Sequence, residues 1–181
     1  MMVPLPELPA RQTGGRQLLT GAVLVAAAMT TGLVAGVFLL YAHTIMPGLG
    51  RTDDRTFVGA FQAIDRAIIN PFFMACFFGA LVLTGVAAAL HLRAGHRGVL
   101  PWLVVAFGLY LVVVVITLAV NVPVNDAIKA AGEPDRITDL ARVRRDFGEA
   151  RWRAWNLVRV VLSSTAFGCL LVTLVLHGRR G

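Results

Sequence analysis

The chain has one lysine, two cysteines and four histidines, and none of them stands at a spacing that carries a known chemistry. Cys76 and Cys169 both fall inside apolar runs with no CxxC pair, which excludes a disulfide framework and a zinc ribbon and reads them as small core residues. His43, His91, His96 and His177 form no HxH, HxxE or HxxxH pair, so no metal site is expected; three of them converge only if one end of the molecule gathers them. A phosphate loop, a CxxCH haem attachment and a Ser-His-Asp pattern are also missing. Charge is sparse as well: with 15% charged residues the chain has too little polar surface for a soluble domain. The net charge of +7, from 17 Lys and Arg against 10 acids, does not point to nucleic acid, because the arginines sit in tails and short loops beside apolar runs. That placement is the pattern of membrane-interface anchors and topology signals.

What is abundant is apolar sequence. With 57% hydrophobic residues among 181 and a mean hydropathy of +0.73, the chain reads as one integral membrane domain, with the lipid bilayer as its first partner. Four runs are long enough to cross: about 18–41, 68–90, 99–120 and 157–176. The first lacks any charge, and its 24 residues reach roughly 36 Å at about 1.5 Å each, more than a hydrocarbon core of about 30 Å. Ala26-Ala27-Ala28 also offers a signal-peptide cleavage pattern, but the run continues well past it. Residues 1–17, with Pro4, Pro6, Pro9, Gly14 and Gly15, read as a flexible tail, 18–177 as the membrane domain and 178–181 as a basic tail. Gly32-x-x-x-Gly36 and Ala75-x-x-x-Gly79 read as small-residue seams for helix packing.

The two long connections carry their own pattern. In 42–67, Pro47 and Gly48 read as breakers and Thr52-Asp53-Asp54 as a helix N-cap. An amphipathic helix follows, with Phe57, Phe61, Ile64 and Ile68 as its stripe and Arg55, Asp65 and Arg66 off it. In 121–153, Pro123 restricts Val122 to extended conformations and predicts a turn, and Ile137, Leu140, Val143 and Phe147 mark a second amphipathic helix. The expected fold is therefore all-α: a four-helix transmembrane bundle, up-down-up-down, with amphipathic interfacial helices in the two long loops. Both termini and the 91–100 loop share one side. Because short flanks carry the positive-inside rule best, cytoplasmic termini are expected, and the arginine-rich, alanine-rich composition suggests a bacterial inner membrane.

Threading four helices in this way collects polar side chains at one mouth: Tyr41 and His43, then Asp65, Arg66 and Asn70, then Asn121, Asn125 and Asp126, then Trp152, Trp155, Asn156 and Arg159. Arg159 begins inside the apolar slab. There it either snorkels to headgroups, pairs with Asp65 or Asp126, or binds an anionic oxygen of a ligand. Trp152 and Trp155 read as an aromatic belt or as walls of a site, Asn121 and Asn125 as caps or as donors to a polarised carbonyl, and Asn70 before Pro71 as a cap or a contact. His43 suits a general base, or is a solvated loop residue. The opposite mouth holds histidines and arginines without interior amides and reads as an anchor.

With Met46-Pro47-Gly48-Leu49, Asn121-Val122-Pro123-Val124-Asn125, Phe147 and Trp155-Asn156-Leu157-Val158-Arg159 in view, the chain resembles the anthrone oxygenase-like family over about residues 18–176. That family is made of small four-helix membrane proteins, bacterial for the most part, and includes fungal polyketide-tailoring enzymes. The resemblance implies an oxidoreductase that oxygenates a hydrophobic, electron-rich, enolisable aromatic, as an anthrone is oxidised to its quinone, with molecular oxygen as co-substrate and neither metal nor flavin. For that chemistry, their location at the mouth, and not an assignment known for the family, makes His43 or Asp65 the expected base and Asn121, Asn125 and Arg159 the expected oxyanion donors. Trp152 and Trp155 wall the substrate, with Tyr41, Asn70 and Asn156 beside it. The competing class is a non-enzymatic membrane scaffold, or a lipophile-binding or transport module, and a homo-oligomer is compatible with either.

Overall fold

The computed structural model describes residues 10–93 and 98–179. Eight α-helices are found there: α1 (Ala10–Leu40), α2 (Met46–Leu49), α3 (Asp54–Ile68), α4 (Pro71–Arg93), α5 (Leu100–Ile116), α6 (Val122–Ala130), α7 (Leu140–Phe147) and α8 (Glu149–Gly178). No strand occurs among the described residues. Four continuous helical stretches are long and apolar enough to cross a membrane: Gly14–Leu49, Pro71–Leu92, Leu100–Ala130 and Leu140–Gly178. The protein is an all-α integral membrane bundle in which α1 packs on α4 and α8, and α5 closes the ring against the same two helices. Their outward faces carry Leu33, Val82, Val104, Val115 and Val161 in the open, as lipid-facing helices do. Leu24, Phe77, Leu103, Tyr110 and Leu170 fill the interior.

Several boundaries differ from those the sequence suggests, and the two at prolines share one cause. Tyr41–Ile45 and Thr117–Asn121 are π-helical, and each is followed two residues later by a proline, Pro47 and Pro123. The amide of Met46 donates to the Tyr41 carbonyl and that of Val122 to the Thr117 carbonyl, five residues back instead of four. This widened turn accommodates a proline that lacks an N–H and would otherwise crowd the carbonyl four residues before it. Val122 accordingly sits at φ −60°, ψ −47°, so the expected extended residue and turn at Pro123 are replaced by a helix running on to Ala130. Pro47 likewise breaks nothing until Gly50. Helix α8 starts at Glu149, two turns before the apolar run, because Gly148 adopts a left-handed conformation (φ 64°) that joins it directly to α7. Helix α1 starts at Ala10, inside the stretch read as a tail; residues 1–9 lie outside the described residues, as does His96.

Both amphipathic helices form, but the second is shorter than its stripe: Ile137 lies before α7 in extended backbone (φ −83°, ψ 119°), because the helix begins only after Asp139. Asp53 caps α3, its carboxylate accepting from the Thr56 amide at 3.0 Å, and Asp139 caps α7 through the Arg142 amide at 2.8 Å. Phe57, Phe61, Phe147 and Trp152 stack into an aromatic layer over the end of the bundle. Arg144 of α7 clamps the layer: it lies over the Phe57 ring and donates to the carbonyls of Gly50 and Thr52 and to the carboxylates of Asp54 and Glu149. Of the expected small-residue seams, Gly32 is the glycine pressed against a neighbour, 3.0 Å from the Phe167 ring of α8 to the Cβ it lacks. Gly36 and Gly79 face open space.

Candidate active site

Beneath the aromatic layer lies a cavity of about 150 Å³, a volume comparable to an engineered core cavity that takes up one benzene ring. Its walls are mainly apolar, among them Phe38, Phe61, Phe73 and Phe77, and its polar groups come from five elements: the two π segments, α3, α6 and α8. The first is Asp65. It belongs to the buried face of α3, contrary to its expected place off the apolar stripe, because 57, 61 and 65 follow one another in steps of four along one side of the helix. One carboxylate oxygen accepts from the Asn125 amide at 2.6 Å, and the other meets the Lys129 ammonium at 2.7 Å. Lys129 also reaches Asp126 at 3.0 Å. The amide oxygen of Asn125 in turn accepts from the Trp152 indole N–H at 2.8 Å. A chain of polar groups therefore runs from the water-facing edge to the aromatic wall.

The second cluster surrounds Arg159, which is 4% exposed. Its guanidinium lies over the Phe38 ring at 4.4 Å and near the Trp152 ring at 5.5 Å. It donates to the Asn156 amide oxygen at 2.9 Å and to the Thr117 hydroxyl at 3.3 Å, while its Nε has no hydrogen-bond partner among the described residues. The Asn156 amide donates to the Phe38 carbonyl at 3.0 Å, which fixes the oxygen that Arg159 uses. Among the described residues Arg159 forms no salt bridge, so the pairing with Asp65 or Asp126 that the sequence allowed is not made. A buried cation held only by neutral oxygens and ring faces is costly, and an incoming anionic oxygen offsets that cost.

The mouth expected from the threading divides in the folded molecule. Tyr41, Asp65, Asn125, Trp152 and Arg159 all line the cavity, and Asn156 stands behind Arg159. Asn70 is a cap: its side-chain oxygen accepts from the Phe73 amide at 3.0 Å, and its nitrogen donates to the Ala67 carbonyl at 2.9 Å. His43 is exposed and paired with its neighbour Thr44, and Trp155 faces outward. Neither His43, Asn70 nor Trp155 lines the cavity. Asn121 is buried in the second π segment, and neither its side-chain oxygen nor its nitrogen finds a hydrogen-bond partner among the described residues, yet it too is not a wall of this space. The site gains Phe38, Thr117 and Lys129, which the sequence did not single out. Lys129 had a signal, since it stands four residues after Asn125 and shares its helix face once the helix is read through Pro123. At the opposite end His91 and His177 stack edge to face, 5.5 Å apart. No group of three or more His, Cys, Asp or Glu side chains suited to a metal occurs among the described residues.

Fold and site together define a four-span membrane protein with an apolar cavity that presents two carboxylates paired with one lysine and, at Arg159, a cation with no salt bridge among the described residues. The chain belongs to the anthrone oxygenase family: the family model, described as anthrone oxygenase, matches residues 73–169, from the first turn of α4 to the core of α8. No curated protein and no solved structure matches the chain. The matched segment contains Asn125, Lys129, Trp152 and Arg159, whereas Phe38, Tyr41 and Asp65 lie before it.

Proposed function

We propose that the protein is a membrane-embedded oxidoreductase that oxygenates an electron-rich, enolisable aromatic of polyketide type, converting an activated ring methylene to a quinone carbonyl at the expense of O2. Family membership supports an oxygenase-like role. The observation that carries the finer reading is Arg159, a buried guanidinium that lines an apolar cavity and has no carboxylate partner among the described residues. Loss of a proton from the methylene leaves an extended phenolate-like anion. A preformed cation in a dry site stabilises such an anion far more than water does. The anion passes one electron to O2, the two radicals join as a carbon-bound hydroperoxide, and loss of water leaves the new carbonyl. One oxygen atom of O2 is retained and one leaves as water. Asp65 is the base in this scheme because it lines the cavity, whereas His43 does not. Trp152 and Phe38 are the walls against which the ring lies, and Asn125 orients Asp65 and Trp152 at once.

The protein side of this reaction needs a base, a cation and a slot that excludes water, so the proposal includes neither metal nor flavin. The proposed setting is a bacterial inner membrane with cytoplasmic termini. Oxygen uptake by the purified protein with anthrone or emodin anthrone, together with metal analysis and a visible spectrum, tests the reading. Uptake above the spontaneous background is expected, with Arg159→Met lowering kcat/KM by about tenfold or more, as loss of a charged hydrogen bond predicts. Uptake that accompanies a stoichiometric metal or chromophore would overturn the mechanism, and no uptake would favour a lipophile-binding module.

A further inference from the structure

The cavity has two edges, and they differ in kind. On the side facing water, Lys129 bridges Asp65 and Asp126 at 2.7 and 3.0 Å and closes the edge with paired charges. On the other side, the cavity-lining residues that are also exposed are Ile69, Phe78 and Leu118, at 58%, 43% and 52%. These three are apolar and come from the junction between α3 and α4, from α4 itself and from the second π segment. Phe78 stands seven residues into α4 from Pro71, roughly 10 Å along the axis, which places this edge within the apolar slab. It faces acyl chains. Arg159 lines the same space, buried at 4% exposure and with no anionic partner among the described residues.

We infer that the ligand reaches this cavity from the bilayer, passing between α4 and the Thr117–Asn121 segment with its oxygen end first, and that it is a neutral, lipid-soluble weak acid rather than a permanent anion. The inference rests on the proposed role of Arg159 and goes beyond it by fixing the route and the charge state at uptake. A charge is costly in acyl chains and at a rim of Ile, Phe and Leu. A phenol or enol crosses as the neutral acid and ionises only where Asp65 can take its proton and Arg159 can hold its oxygen. The apolar remainder of the molecule needs no space inside, since it can trail through the opening into lipid. A cavity of about 150 Å³ therefore does not limit the ligand to one ring.

The chain has three tryptophans, and Trp152 is the one that lines the cavity. A Trp102→Phe/Trp155→Phe variant in lipid nanodiscs makes Trp152 emission a report on occupancy. With 2-naphthol, which partitions into the bilayer, quenching is expected, and Arg159→Met should weaken the apparent affinity by about tenfold or more. With 2-naphthalenesulfonate, which carries the same rings and a permanent charge, no specific quenching is expected. The route is tested in a Cys76→Ala/Cys169→Ala background. Leu118→Cys alkylated with a bulky maleimide should slow the quenching by naphthol several-fold. Val105→Cys, on the outward face of α5 and away from the cavity, should leave the rate unchanged after the same treatment. Equal rates in the two labelled proteins, or quenching by the sulfonate, would overturn the lateral route while leaving the site intact. Absence of naphthol quenching in the parent protein would overturn both the route and the binding role of Arg159.

Discussion

The residue that most constrains the chemistry is Arg159, and its neighbours show why Asp65 is not its counter-ion. Asp65 is held by Lys129 and Asn125 from α6, so one side of the cavity is electrostatically closed while the guanidinium stays open to a ligand. Removing one member of a buried ion pair leaves a stranded charge, at a cost of about 3–5 kcal/mol, whereas removing both is far milder. Lys129→Met should therefore destabilise the protein by about 3 kcal/mol, the low end because Lys129 is partly exposed. Asp65→Asn/Lys129→Met should recover most of that loss in thermal unfolding while failing to restore oxygen uptake. Recovery of both would remove Asp65 from the mechanism. At this scale the sequence was legible in part. Tyr41, Asp65, Asn125, Trp152 and Arg159 could be gathered because they stand at the same ends of neighbouring spans. Asn70 and Trp155 share that level and still point elsewhere, since the level of a residue along a helix does not fix its azimuth.

Azimuth is set by the elements, above all by the two π segments. Each inserts one extra residue into a turn and rotates everything beyond it by about 100° relative to a regular helix. Asn125 and Lys129 meet Asp65 only with the second of these in place. Deleting Ala119, an exposed residue of that segment, together with Pro123→Ala should give a regular helix. Helicity by circular dichroism should persist, while substrate turnover and naphthol quenching should fall to background; retained turnover would show that the bulge does not aim the site. A proline and two asparagines read as a turn because the sequence gives no local sign of a widened helix. The caps were the most legible features, since Asp53 and Asp139 act through bonds to amides three residues on. The Thr56 amide and hydroxyl hold the Asp53 carboxyl below its usual range. Its contribution to α3 is thus complete above the ordinary carboxylate pKa and lost as pH falls through the lowered one. Unfolding of wild type against Asp53→Asn should show a steeper acid-side decline in the wild type, and parallel curves would remove the cap from the account.

For the whole molecule, four apolar runs and two amphipathic stripes were enough to give a four-span bundle, because burial in lipid demands helices and the stripes demand a surface to lie on. What the runs could not give is the extent of the helices beyond the apolar slab. Leu100–Ala130 and Leu140–Gly178 each carry polar turns that stand above the apolar core and meet there. Those extensions raise the aromatic layer and the Arg144 clamp over the cavity, so the end that holds the site carries its own roof. Sidedness follows if the termini are cytoplasmic: a cysteine at the exposed Ala131, after α6, should react with a membrane-impermeant thiol reagent added to intact cells. Protection until the cells are opened would invert the topology.

Lys129, the only lysine in the chain, has a practical consequence. Reductive methylation with isotopic formaldehyde would place a magnetic label on a single side-chain amine, at the water-side edge of the cavity and bonded to Asp65. That one resonance would follow the state of the carboxylate in real time, in the unmutated protein, as a ligand arrives from the opposite edge.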